Sequence, residues 1–277
     1  MATSPGLATT WGQETWSTTL IESLVLQSAL LRAGASRTVA DSRVTHVPRL
    51  KVVPAAAWVA ELAVIPSDSG DADILVLTPR KVANVLNLST ESIQDSSVDE
   101  LSAVGAAMVR GIAVQIDTAA FSVNAATATV PAGLLNATLP STGVGGVVDI
   151  DHVLTGVGAI QGKGGSPDTV FLNPADITKL RQQKTTTNAY ILAPDAASVE
   201  GAPSTRIAGC ALIPTNGLPA GKALVCEAKF IQTCVRRDAA VEFSSDAAFT
   251  SDAVAARVTM RIDWAWGDVN SAYLITP

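Results

Sequence analysis

Residues 97–121 read SVDELSAVGAAMVRGIAVQIDTAAF, without a proline. Ser97 and Glu100 stand at capping-box spacing: the serine oxygen accepts from the Glu100 amide, and the glutamate carboxylate accepts from the Ser97 amide. Leu101, Val104, Met108, Ile112 and Ile116 then fall on one stripe at 100° per residue, with Asp99, Arg110 and Asp117 opposite. The spacing predicts a helix over 97–121, roughly 35 Å long at 1.5 Å per residue. Each large apolar side chain it buries contributes roughly 1.5–3 kcal/mol. Gly105 and Gly111 each cost about 1 kcal/mol against alanine in a helix interior. The outer face carries Ala103, Ala106, Ala113 and Val114 between its charges, so it is thinly polar. Either a loop of the same chain covers it or another chain does.

Working outward from this helix, residues 80–95 carry alternating apolar positions (Val82, Leu86, Leu88) and a short helical turn near 90–94. Before them, residues 52–79 have strand-like runs at both ends around the polar tip Ser67-Asp68-Ser69-Gly70-Asp71, which predicts a long β-hairpin. Its charges, Glu61, Asp68, Asp71 and Asp73, are all negative. Two strands alone are marginal, so this hairpin needs a partner surface, and a basic one suits it. Residues 33–51 carry Arg37, Arg43, Arg49 and Lys51 against Asp41 and read as extended, either solvated or lying on a neighbour. Residues 13–32 have helical periodicity ending at Gly34, and residues 1–12 read as a polar arm.

Downstream of the helix glycine becomes frequent. Residues 149–160 predict a short helix and 169–172 a buried strand. Asn173-Pro174-Ala175-Asp176 then starts another helix, with an N-cap residue, proline at N1 and an acid in the first turn. Residues 207–213 and 223–227 predict strands, so residues 124–228 read as a compact α+β unit. The strictest alternation lies at 257–266. Val258, Met260, Ile262, Trp264 and Trp266 face one way; Arg257, Thr259, Arg261 and Asp263 face the other. Residues 235–243 and 272–276 are the expected partners of this strand. Arg236 and Arg237 with Arg257 and Arg261 then make a basic patch, either a solvated strand face or a landing site for the acidic hairpin of a neighbouring subunit.

The whole chain sets bounds. It has 277 residues and a net charge of −6, which argues against a dedicated nucleic-acid-binding surface. Cys210, Cys226 and Cys234 match no zinc or redox spacing and read as small buried hydrophobes in a reducing compartment. The start of the chain lacks the features of a secretory signal, and no apolar run reaches about 18 residues, so no membrane association is expected. Asp149, Asp151 and His152 read as the first turn of a helix, since a metal site needs more converging ligands. Gly162-Lys163-Gly164-Gly165-Ser166 lacks the order of a phosphate cradle and reads as a flexible surface loop. No serine elbow or Ser-x-x-Lys motif is present, so neither catalysis nor a cofactor is expected.

The order of these parts resembles the major capsid proteins of tailed bacteriophages, the Hong Kong 97 fold, which encapsulin shells also use. IESLVL at 21–26 resembles the family's N-arm helix. AAWVAE at 56–61 and LTPRKVANVLNLSTESIQDS at 77–96 resemble the two ends of its extended loop. VFLNPADITKLRQQK at 170–184 resembles the strand and helix of its axial domain. LPAGKALVCEAK at 218–229 and the run from Val235 to Trp266 resemble its closing strands.

The resemblance implies an α+β fold with an N-arm at 1–45 and a first part of the peripheral domain at 46–123, which holds the extended loop 54–79 and the spine helix 97–121. It implies an axial domain at 124–228 and peripheral closing strands at 229–277. It implies a shell protein assembling as hexamers and pentamers into an icosahedral head around double-stranded DNA, without sequence-specific binding. Portal and scaffolding proteins, and a cement protein, are the implied partners; the virion is the implied location, after assembly in the host cytoplasm. The loops around Gly162–Ser166 would sit near the symmetry axis. Some members weld subunits through an extended-loop lysine; no lysine lies between Lys51 and Lys81 here, so no such crosslink is expected. The chain starts almost at the N-arm, so a scaffold is expected as a separate or already removed protein. Inter-subunit contacts are expected at Glu61, Asp68, Asp71, Asp73, Arg236, Arg237, Arg257 and Arg261. Gly105 and Gly111 become expected close-approach points. An encapsulin-like nanocompartment and a stand-alone α/β hydrolase are the competing readings.

Overall fold

A computed structural model describes residues 28–50, 56–62, 64, 72–91, 100–143, 148–183, 206–248 and 252–276. In chain order the elements are α1 (Ala29–Arg32), β1 (Ser36–Val39), β2 (Thr45–Leu50), β3 (Ala72–Leu77), β4 (Arg80–Ser89), α2 (Glu100–Ala120), β5 (Ser141–Gly143) and α3 (Ile150–Gln161). They continue with β6 (Thr169–Leu172), α4 (Pro174–Gln182), β7 (Arg206–Ile207), β8 (Cys210–Pro214), β9 (Ala223–Cys226), β10 (Ile231–Ala248), β11 (Ala253–Trp266) and β12 (Ala272–Thr276).

Two sheets carry the chain. One has the order β1-β10-β11-β4; the other has β5-β12-β9-β6-β8-β7. The strict alternation at 257–266 is β11, which begins four residues earlier and pairs antiparallel with both β10 and β4. The expected partner at 272–276 instead pairs with β9 and β5 in the second sheet. The cause lies in residues 267–271: a 3-10 turn capped by Asp268, whose side chain accepts from Asn270 N, redirects the chain before β12.

The long helix α2 matches its expected span. The capping serine lies outside the described residues, as do residues 13–27 of the expected N-terminal helix. Met108, Val109, Ile112 and Ile116 are buried against Val258, Met260, Ile262 and Trp264. The two tryptophans do more than fill space. Trp264 Nε1 donates to Ala132 O and Trp266 Nε1 to Leu134 O, each at 2.9 Å. A buried indole N–H needs such an acceptor, and here the pair straps residues 131–135 under the sheet.

The last turn of α2 is where three parts of the molecule meet. Asp117, read from sequence as outward-facing, accepts from Ser28 Oγ at 2.7 Å, Ala29 N at 2.8 Å and Leu30 N at 3.2 Å. It thus satisfies the free donors at the start of α1, which a helix terminus otherwise leaves unpaired. Burial pushes the Asp117 carboxyl above its ordinary value, against the opposing pull of the Ala29 amide, the Ser28 hydroxyl and the Leu30 amide. One helical turn on, Phe121 packs against Phe171 of β6 with the rings tilted and their centroids 4.7 Å apart. A Cβ on Gly217, in the turn before β9, would lie 2.5 Å from Asp117 O. A Cβ on Gly133 would lie 1.9 Å from Ser122 O.

Around the end of this helix Gly217 and Gly133, not Gly105 and Gly111, are the close approaches. Among the described residues nothing lies within 4 Å of a Cβ at Gly105, and only Asn84 Nδ2, at an ordinary 3.6 Å, at Gly111. The helical periodicity reported which face is buried but not how near the neighbouring backbone comes.

The hairpin is displaced from its expected position. Its strands are β2 and β3, with Thr45 opposite Leu77 and Leu50 opposite Ala72. The basic residues of 45–50 hid a period-two pattern in which Val47 joins Leu75 and Leu77 over Cys234 and Ala265. Arg49 crowns this contact. It pairs with Asp73 at 2.7 Å and donates to Trp266 O at 3.0 Å. Asp263, on the same outer face of β11, is buried beneath the hairpin base and accepts from Thr78 N at 2.6 Å; burial raises its carboxyl above the ordinary value. Arg37 pairs with Asp238. The basic segment therefore binds its own chain through Arg37 and Arg49.

In the second sheet β6 and β9 are buried along their whole length, and α3 packs on β12 and β9. Asp149 and His152 form a capping box at the start of α3, with Asp149 N donating to His152 Nδ1 at 3.2 Å. Asn173 caps α4 as expected. The expected strand 207–213 is broken by a turn at Ala208-Gly209, both at positive φ, into β7 and β8. The three cysteines are buried and unpaired. The loop Gly162–Ser166 is tied down, not free: Lys163 Nζ donates to Asn270 Oδ1 at 2.8 Å and Ser166 N to Glu227 Oε2 at 3.1 Å. It sits where the chain crosses between the two sheets.

Candidate functional site

The outer face of the first sheet, beyond the edge of the β2–β3 hairpin, holds the charged residues singled out in the sequence. Register fixes their neighbours. Arg261 of β11 lies opposite Arg237 of β10 on one side and Lys81 of β4 on the other. Three cations thus form one row across three strands, about 4.8 Å apart strand to strand. Like charges directly opposite destabilise a sheet. On the same face the next row is Ala240, Thr259 and Ala83, and the one after it is Glu242, Arg257 and Val85. Glu242 bridges both arginines, Arg237 at 2.9 Å and Arg257, and the Arg257 guanidinium holds its carboxyl below the ordinary value. Arg261 and Lys81 are exposed and form no ion pair among the described residues. Arg236 falls in a register shift of β10 and stands apart from the row.

The acidic side divides. Asp73 is held by Arg49 of its own chain and is only half exposed. Asp68 and Asp71 lie outside the described residues. Glu61 lies in an exposed stretch, 56–62, that has no strand structure. In that stretch Trp58 and Leu62 are fully exposed, at 106% and 101% of their reference areas. Leu62 is held at φ 63°, a left-handed conformation uncommon for a bulky residue.

Sequence reading found Arg257 and Arg261 from alternation, and Arg236 and Arg237 from the expected partner strand. It missed Lys81, because only the register of β4 on β11 shows that this lysine completes the row. It also did not single out Trp58 as an exposed side chain. Among the described residues, no group of three or more His, Cys, Asp and Glu is placed to hold a metal ion, and no helix is long and apolar enough to cross a membrane. This surface combines a charged row, an exposed apolar stretch and, among the described residues, a long edge strand, β4.

The sequence matches the model of the phage capsid family over residues 12–276. No curated relative matches it. Among solved structures, the chain is similar to one from Mycobacterium phage Bobi, with a TM-score of 0.72, 20% identity and 90% of each chain covered. It is also similar to one from Microbacterium phage Oxtober96, with a TM-score of 0.71, 19% identity and 91% of each chain covered. A third similar structure is the capsid of the native GTA particle, with a TM-score of 0.69, 16% identity and 89% of each chain covered. At these identities the likeness concerns the fold.

Proposed function

Because the chain belongs to the phage capsid family and is a major capsid protein of the Hong Kong 97 type, we propose that its copies close as hexamers and pentamers into an icosahedral head around double-stranded DNA. It is a structural protein of the virion, and its self-association builds the shell. The nanocompartment and hydrolase readings are not favoured by this membership. The observation that carries the proposal is a subunit with a charged row and an apolar stretch that are both exposed among the described residues. Residues 1–45 act as the arm, 54–79 as the extended loop and α2 as the spine. The axial domain comprises 124–228 together with β12, since β12 completes that sheet. DNA is confined by the wall and not read by it, consistent with the net charge of −6. Assembly takes place in the host cytoplasm with portal and scaffolding proteins as partners, and the outer surface is open to a cement protein. Negative-stain microscopy of the purified protein tests the reading: closed shells are expected, and a monodisperse small species rejects it.

Within this reading Asp68, Asp71 and Glu61 of one subunit meet the row of Lys81, Arg261 and Arg237 on the next, with Arg236 and Arg257 flanking it. Asp68→Lys with Asp71→Lys is expected to lower shell yield at least tenfold while the circular dichroism spectrum of the subunit stays unchanged. Wild-type yield from this variant sinks the charge pairing. Asp73 is left intact in the test because its loss would free Arg49 within the same chain. Subunits are held without covalent welds through this loop, which has no lysine between Lys51 and Lys81. A denaturing gel of mature particles is expected to show one monomer-sized band; a ladder that survives boiling contradicts the claim.

A further inference from the structure

We propose that Asn216 is a latent site of spontaneous backbone modification, closed while the end of α2 grips the turn between β8 and β9 and open when that grip is lost. Asn216-Gly217 is the one Asn-Gly pair in the chain. The chemistry belongs to the pair. The Gly217 amide nitrogen attacks Asn216 Cγ, the Cγ–Nδ2 bond breaks, and Nδ2 leaves as ammonia with the proton of the attacking amide. The five-membered succinimide then takes up water at one of its two carbonyl carbons, which gives aspartate or isoaspartate. Glycine makes this fastest, because no side chain hinders its nitrogen. Water is the only co-reactant.

The fold imposes this labile pair. A Cβ at position 217 would lie 2.5 Å from Asp117 O and 3.0 Å from Phe121 Cδ2, so packing demands glycine there. Asparagine before glycine suits the turn. Asn216 itself is exposed and open to water. What restrains the reaction is the nucleophile. Gly217 N donates to Thr215 Oγ1 at 3.2 Å, and a nitrogen held to that acceptor is not free to turn onto Cγ. The turn is fixed on both flanks. Thr215 N donates to Leu172 O at 2.9 Å, and Asn173 Nδ2 donates to Leu218 O at 2.8 Å. Thr215 and Leu218 are both buried. The reaction therefore waits for a local opening, of the kind that lets backbone amides exchange. Isoaspartate puts one more carbon into the main chain, and a turn pressed this closely on Asp117 O has no room for it. A subunit modified while open does not regain the same grip on α2.

The test uses full-length subunits, kept folded in buffer or unfolded in urea, at the same mildly alkaline pH. Peptide mapping with an isoaspartate-specific methyltransferase reads the product at position 216. Modification is expected in urea, and at least tenfold more slowly in the folded subunit. Thr215→Val, which removes the acceptor, is expected to speed the reaction of the folded chain at least fivefold, while Thr215→Ser, which keeps it, stays near wild type. Circular dichroism shows whether each variant is folded. No product at position 216 in urea overturns the site. Equal rates in folded and unfolded wild type, or a folded Thr215→Val subunit as slow as wild type, overturn the closure. If Thr215→Val does not fold, the comparison of folded with unfolded wild type decides.

Discussion

Gly133→Ala is expected to destabilise the subunit by about 3 kcal/mol, the upper part of the range for overpacking. The reason is geometric. A Cβ there would lie 1.9 Å from Ser122 O and 2.5 Å from Ser122 Oγ, and the first of these is backbone. Gly133 N also donates to Asn124 O at 3.0 Å, so the loop cannot shift away without breaking its own closure. Movement of residues 131–135 would in turn detach the acceptors of the two tryptophan indoles. The backbone of Gly133 is ordinary, at φ −68°. Lack of space, not a special conformation, demands glycine. Gly105→Ala is the matched control. With nothing among the described residues within 4 Å of the new Cβ, it is expected to stabilise α2 by about 1 kcal/mol. Urea unfolding of subunits in solution, followed by tryptophan fluorescence, measures both. Equal effects of the two substitutions contradict the account.

Asp117→Ala carries the second large effect, about 3 kcal/mol. Three donors lose their acceptor together, and Ser28, the first of them, is fully buried. Each unsatisfied buried donor costs about 1–3 kcal/mol, softened where water can enter. Asp117→Asn separates geometry from charge, since its amide keeps one oxygen but turns an N–H₂ toward donors. The pH dependence has a definite sign. The folded-state value of Asp117 is raised, so the folded chain binds this proton more tightly than the unfolded chain does. The Asp117 contribution to stability is therefore full below the ordinary carboxylate value and declines as pH rises through the raised one. Relative to Asp117→Asn, wild type should gain stability on acidification across that window. A difference that stays flat or shrinks overturns this. Hydrogen exchange at Ala29 and Leu30 is expected to accelerate in both variants.

Much of this fold can be read from the chain, and what cannot be read shares one cause. Helix α2 and strand β11 are legible because a single period runs unbroken through each. The capped starts of α3 and α4 are legible because their signals are local. Asp117 was assigned to an outer face correctly by angle, yet the side chain is covered by residues 88 positions away in sequence. Gly133 and Gly217 carry no sequence signal that marks them as contact points, which they are. Lys81 became part of the site only through strand register. In each case the missing information is which distant backbone arrives, and no periodicity within a segment encodes that. The hairpin shows the converse. Its first strand was hidden because basic residues in 45–50 masked an alternation that the tertiary pairing of Arg49 with Asp73 makes evident.

The convergence at the end of α2 has a mechanical consequence. The arm root, the Gly217 turn and the Phe121–Phe171 contact all grip the last turn. Among the described residues its two glycines meet no tight neighbour nearer the start. The described attachments are tightest at Asp117–Phe121, so a load reaching the helix would pass through that end to the arm root and to the second sheet together.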